Sequence, residues 1–197
     1  MTRPPRKLRF IQVLPVAPTD GNFLLRDLPG SGRRLDVLCR DLAACFDWGP
    51  VSWPKSSLEF IAVLADSVTL TFRDPGPSLP RGEIRWAQVV RDSLMNNPPG
   101  FVQLSHAGVE QAIRDSMSLA DSAIWLLDAE GMPLSEVPNL GMKTQNSFML
   151  GDHRGFDRKT RQMTDEYGIR RISFGKTSYL GSHCVAAVIS EYERMDR

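Results

Sequence analysis

From Ile124 to Arg197 the chain reads as strand, loop, helix, strand, glycine loop and helix. This alternation argues for an α/β fold with a largely parallel sheet, because a crossover helix is what lets neighbouring strands run the same way. Ile124-Trp125-Leu126-Leu127-Asp128, Phe148-Met149-Leu150 and Ile169 to Phe174 are the strands. Cys184, Val185, Val188, Ile189 and Tyr192 recur as the apolar stripe of a closing helix, with Ser182 placed to cap its start. Two glycine-bearing loops, Leu150-Gly151-Asp152-His153 and Ser173 to Gly181, could converge on one ligand. Backbone amides at the start of the last helix would point into whatever the second loop holds, and such groups suit an adenine edge or a carboxylate. A plain tight connection is the competing reading of a glycine loop.

The preceding residues supply the rest of the sheet and its cover. Leu8 to Leu14 is an apolar run ended by Pro15 and Pro18, a buried strand entering a long loop with a short helical turn at Phe23 to Arg26. Leu35, Leu38, Cys39, Leu42, Cys45 and Phe46 recur at helical spacing, with Arg34, Asp36 and Arg40 off that stripe. Phe60 to Leu64 and Val68 to Phe72 form two strands around a turn, and Ile84 to Met95 a helix. Phe101 to Leu104 is a strand leading to a helix from Gly108 to about Leu119, with Val109, Ala112, Ile113 and Ser116 on one side. No internal repeat or low-complexity segment interrupts this order.

A chain of 197 residues with 42% hydrophobic residues can bury a core of its own, and one domain over 1–197 is expected. Its formal charge of +1 does not announce a nucleic-acid binder. Basic residues are nevertheless bunched: Arg3, Arg6, Lys7 and Arg9 at the start, and Arg154, Arg158, Lys159, Arg161, Arg170, Arg171 and Lys176 later. Ordinary solvated faces are the usual meaning of such runs. Cys39, Cys45 and Cys184 contain no C-x-x-C pair, which fits reduced thiols in a cytoplasm. His106, His153 and His183 lack the spacing of a metal site, so no metal is expected. With neither a signal-like apolar region nor a run of 18 apolar residues, a soluble protein is expected.

The patterns L-L-D-x-x-G, F-M-L-G-D-H, G-I-R-R-I-S-F-G-K and S-H-C-V-A-A-V-I-S-E-Y-E-R resemble those of the SPOUT methyltransferases. Within that superfamily the chain is most similar to the archaeal tRNA pseudouridine-54 N1-methyltransferases and their bacterial relatives. The N-terminal R-F-I-Q-V-L-P-V-A-P-T-D and G-R-R-L-D-V-L-C-R extend the resemblance over nearly the whole chain. It implies a C-terminal trefoil knot spanning about 124–197, a homodimer, and S-adenosyl-L-methionine as the cofactor.

Carried over by motif, the cofactor positions would be Leu127, Gly151, Phe174, Gly175, Lys176, Thr177, Ser178, Tyr179 and Cys184. Core packing of Leu127 and Cys184 and a turn at Gly151 are the structural alternatives. The family more often has proline where Lys176 stands, and the Lys143-Thr144-Gln145-Asn146 insert and the proline-rich stretch near Pro75 also depart from archaeal members. The resemblance implies methyl transfer to an RNA, with N1 of a tRNA pseudouridine the favoured acceptor. Asp36 could accept the N1 proton or orient the base, while Arg34 or Arg40 could stabilise ring oxygens or a phosphate. His153 would line the pocket, and Arg154, Arg158, Lys159 and Arg161 would offer the RNA backbone a track on a helix capped by Asp157. A related enzyme acting on another base or a ribose, and a cofactor- and RNA-binding protein without turnover, remain alternatives.

Overall fold

The computed structural model describes residues 6–49 and 53–195; Arg3 lies outside them. Seven strands, β1 (Lys7–Leu14), β2 (Leu58–Leu64), β3 (Val68–Phe72), β4 (Val102–Ser105), β5 (Ser122–Pro133), β6 (Gln145–Leu150) and β7 (Arg170–Ser173), form one sheet in the order β4-β3-β2-β1-β6-β5-β7. Pairings from β2 across to β7 are parallel, and β3 and β4 extend the sheet antiparallel. This is the expected largely parallel sheet flanked by helices. Among the described residues five α-helices accompany it: α1 (Leu35–Phe46), α2 (Glu83–Leu94), α3 (Val109–Ser118), α4 (Arg158–Glu166) and α5 (Gly181–Met195).

Alternation along the strands sorts the core into two faces, since successive side chains point opposite ways. Phe10 of β1, Phe60 of β2 and Phe148 of β6 meet α1, α2 and α5 on one face; Phe10 lies 6.2 Å from the Phe60 ring and 6.0 Å from that of Phe148. Ile11, Val13, Ile61, Val63 and Met149 meet α3 and, through Met163, α4 on the other. Gln12 shares its side of β1 with Phe10 and Leu14, so a polar side chain enters the first core beneath α1. There it meets Asp41, itself inside a helix whose neighbours Leu38, Leu42 and Cys45 are buried.

Several local expectations need correction. Residues 23–26 make turns and no helix, because Asp27 organises the loop: its carboxylate accepts from the Gly30 and Ser31 amides, and Ser31 Oγ accepts from the Leu24 amide. Ser182 is the second residue of α5 and does not cap it, the helix starting at Gly181. Arg154 precedes α4, which Asp157 caps by accepting from the Thr160 amide at 2.7 Å. The basic run at the start disperses: Arg6 is buried over the Tyr192 ring, and Arg9 pairs with Glu59. Asp36 lies off the apolar stripe yet is buried, because two arginines cover its charge. Among the described residues no helix is long and apolar enough to cross a membrane.

Candidate active site

A cavity of about 400 Å³ opens where four segments converge at the carboxyl end of β6 and the middle of β5, and a smaller one of about 60 Å³ adjoins it. Arg34, Val37, Arg40 and Asp41 of α1 and its entry form one wall; Leu127, Asp128 and Ala129 form another. The turn from Leu150 to Phe156 and the loop from Ser178 to Ser182 close it, with Cys184 behind. Ligands of open α/β sheets bind in this position, outside the strand ends.

Each wall has a local cause. The register of β5 against β7 jumps between Leu127 and Met132, both facing Ile172, so Asp128 to Gly131 bulge out of the ladder. Gly131 is needed there: a Cβ would lie 2.5 Å from the Ile172 amide nitrogen. After β6 the chain turns back through a bridge between Asp152 and Gly155, and Gly155 takes φ +82°. That turn folds directly onto Gly151, where a Cβ would clash with the Gly155 backbone. Glycine at 151 therefore serves a close backbone approach. At the entry to α1, Arg33 and Arg34 take φ +47° and +71°, a left-handed conformation that is costly for residues with a Cβ.

Charge is distributed unevenly around the cavity. Asp36 binds Arg34 through both oxygens at 2.9 and 3.0 Å and Arg40 at 2.7 Å, fixing two guanidiniums on the wall that Asp36 itself does not line. Asp128 accepts from Arg161 at 2.7 Å and from the Glu130 amide at 3.1 Å; these bonds outweigh its partial burial and hold the carboxyl below its ordinary range. Asp152 accepts from the Arg154 amide at 2.7 Å, and its other oxygen lies 3.7 Å from His153 Nδ1. Asp41 accepts from the Gln12 side-chain amide at 2.6 Å. Burial pushes its carboxyl up to about 8, against the opposing pull of Arg40. Burial likewise pushes the Cys184 thiol up to about 12, so it lines the cavity as a neutral thiol.

Of the residues singled out in the sequence, Leu127, Gly151, Ser178, Tyr179 and Cys184 gather on the main cavity, and Phe174 and Thr177 on the adjoining one. Gly175 and Lys176 line neither. Arg34, Arg40, His153, Arg154 and Arg161 reach the main cavity, while Arg158 and Lys159 lie outside its lining. His106 and His183 are exposed elsewhere. Among the described residues no three His, Cys, Asp or Glu side chains gather as a metal site requires. Asp41 and Asp128 also line the cavity; neither is among the site residues expected from the sequence, although Asp128 is the acidic position of L-L-D-x-x-G. The signal for Asp41 is faint: it interrupts the buried side of α1 as Gln12 interrupts that of β1.

Residues 84–196 match a family model described as "Putative SAM-dependent RNA methyltransferase". The chain is 29% identical over 196 residues to the tRNA (pseudouridine(54)-N(1))-methyltransferase of Thermococcus kodakarensis, covering 91% of this chain and 95% of that protein. To the enzyme of the same name from Thermococcus gammatolerans it is 30% identical over 199 residues, covering 87% and 90%. The crystal structure of Archaeoglobus fulgidus Nep1 bound to S-adenosylhomocysteine superimposes with a TM-score of 0.67 at 16% identity, covering 96% of this chain and 98% of that one. This last likeness is one of fold.

Proposed function

The chain belongs to this family of SAM-dependent RNA methyltransferases, and we propose that it methylates N1 of a pseudouridine in tRNA with S-adenosyl-L-methionine as methyl donor. The observation that carries the reading is the convergence, in one cavity, of the bulge within β5, the Gly151 turn, the Ser178 to Ser182 loop and the Arg34 and Arg40 guanidiniums.

The residues present fit the cofactor. The cavity lies within the range of roughly 300–1,000 Å³ usual for small-molecule sites. Val37, Leu127, Leu150 and Phe156 offer apolar wall to an adenine, and Asp41, Asp128 and Asp152 line the same cavity. When bound, the cofactor supplies a methyl group already activated on a sulfonium. We assign Leu127, Gly151, Phe174, Thr177, Ser178, Tyr179 and Cys184 to holding it, with Gly175 and Lys176 shaping the loop between.

The chain's own task is alignment, exclusion of water and charge management. As N1 of the acceptor takes the methyl it loses a proton, and negative charge develops on the ring oxygens. Arg34 and Arg40 reach the cavity and can receive that charge; Asp36, with both oxygens bound to them, acts here as their positioning residue. Arg154, Arg158 and Lys159 are exposed beside the cavity and on the start of α4, a position suited to phosphate contacts that add affinity without base choice.

Other parts of the reading extend the family resemblance. We infer that the chain forms one domain whose end is threaded as a trefoil knot. In support, β7 pairs on the far side of β5, and the following loop returns past the β5 bulge and the β6 end to bring α5 against α1. A homodimer in the cytoplasm completes the proposal.

The test is incubation with S-adenosylmethionine and matched tRNA T-arm substrates carrying uridine or pseudouridine, followed by digestion and mass spectrometry. N1-methylpseudouridine formed on the pseudouridine substrate alone is expected. A methylated ribose or another base would move the acceptor, and cofactor binding without any product would overturn the catalytic reading.

A further inference from the structure

We propose that the Asp41 carboxylate is the counter-charge for the sulfonium of the bound cofactor and selects the methyl-bearing form over its neutral demethylated product. This rests on the cofactor reading above and concerns a residue that reading does not use as a catalytic group.

Asp41 is 1% exposed yet lines the main cavity. Its carboxylate is pressed against the start of α5, where a Cβ on Gly181 would collide with Oδ2, so it borders the loop assigned to the cofactor. The other carboxylates of this region are already committed: Asp36 to Arg34 and Arg40, Asp128 to Arg161, Asp152 to the Arg154 amide beside His153. Among the described residues Asp41 forms no ion pair, and its hydrogen-bond donor is the neutral amide of Gln12. The Oε1 of Gln12 is itself buried without a partner. A negative charge buried against one neutral donor is costly, and a ligand cation arriving in the cavity relieves that cost.

The surroundings set when the charge is present. Burial raises the Asp41 carboxyl to about 8; Arg40 and the Gln12 amide oppose the rise and Asp36 adds to it. Cys184 faces it from α5 as a neutral thiol, and Arg34, Asp128, Asp152, His153, Arg154, Arg161 and Tyr179 are the charged or titratable side chains across the cavity. A cationic ligand draws a proton off Asp41, whereas a neutral thioether does not, so selection between them strengthens as pH rises through the Asp41 range.

The experiment is calorimetric titration of the full chain with S-adenosylmethionine and S-adenosylhomocysteine from about pH 6.5 to about pH 9. The ligands' own amino groups titrate in this range, so wild type is compared with Asp41→Asn, which keeps an acceptor for Gln12. The ratio of the two dissociation constants should shift toward S-adenosylmethionine by about tenfold or more with rising pH in wild type relative to Asp41→Asn. Gln12→Met, which removes the bond that lowers the Asp41 range, should move the wild-type transition to higher pH and keeps the test open if Asp41→Asn does not fold. The same pH dependence in wild type and Asp41→Asn, or an unmoved transition in Gln12→Met, overturns the selection while leaving the cofactor site standing. Failure of wild type to bind either ligand overturns the cofactor reading, and the selection with it.

Discussion

Arg34 and Asp36, two residues apart at the entry to α1, are joined at two points: Nε donates to Oδ1 at 2.9 Å and Nη2 to Oδ2 at 3.0 Å. Arg34 achieves this from a left-handed backbone, φ +71°. Arg40 completes the arrangement one turn further along the helix.

Breaking this clamp should separate chemistry from cofactor binding. Asp36→Ala leaves both guanidiniums without their shared anchor, and hydrogen bonds to charged groups are worth about 1.5–3 kcal/mol. Single-turnover methylation should slow by about 10–100-fold. Calorimetric affinity for the cofactor should stay within about twofold. An equal loss in both would mean that Asp36 supports the whole cavity.

Asp41 should cost the fold stability at neutral and alkaline pH. Its unfolded carboxyl ionises near about 4. Burial pushes the folded carboxyl up to about 8. Between these values the folded chain holds one proton more, so stability falls as pH rises through the window. Asp41→Asn lacks this cost: urea denaturation should find it more stable than wild type by at least ~1 kcal/mol at about pH 8, the two converging near about pH 4. A constant difference across that range would contradict a buried, proton-holding Asp41.

The exposed cations beside the cavity predict a salt signature. Each phosphate that a bound cation neutralises adds about 0.7–0.9 to the steepness with which log K falls against log salt. Arg154→Ala and Arg158→Ala, measured by tRNA binding at several salt concentrations, should each lower the slope by about that amount, and Arg158→Ala, outside the cavity lining, should leave cofactor affinity alone. Unchanged slopes would remove this face from the RNA path.

Gly131 should tolerate no side chain. The Cβ of Gly131→Ala would meet the Ile172 amide nitrogen at 2.5 Å, inside a strand pairing that cannot shift without moving the bulge. Overpacking of this kind costs typically ~1–3 kcal/mol, readable as a lower denaturation midpoint. Gly175→Ala meets no clash, Tyr179 Oη at 3.7 Å being the nearest atom to its Cβ, but its φ of +155° is one that L side chains rarely adopt, so it too should lower the midpoint.

How far the fold can be read from the chain follows from which interactions are local. Helical and strand periodicities locate α1, α2, α3 and α5 to within a residue or two, and the alternation after Gly108 marks the parallel sheet. The Phe23 to Arg26 turn and the start of α5 escape such a reading because short segments are decided by single side-chain bonds, here those of Asp27, and by how α5 meets Asp41. The apolar run of β5 ends at Asp128, yet the strand continues to Pro133, because that continuation depends on pairing with β7, about 40 residues later in the chain.

The sequence by itself determined the apolar faces, the family motifs and the glycines at which two loops could close on a ligand, because these are properties of residue type and spacing. Tertiary structure alone decided that Asp36 binds two arginines, that Gly151 faces a backbone turn, and that Asp41 meets Gln12 beneath the cavity. Those facts depend on which groups the fold brings together, and the free energy of a buried charge depends on what surrounds it in space.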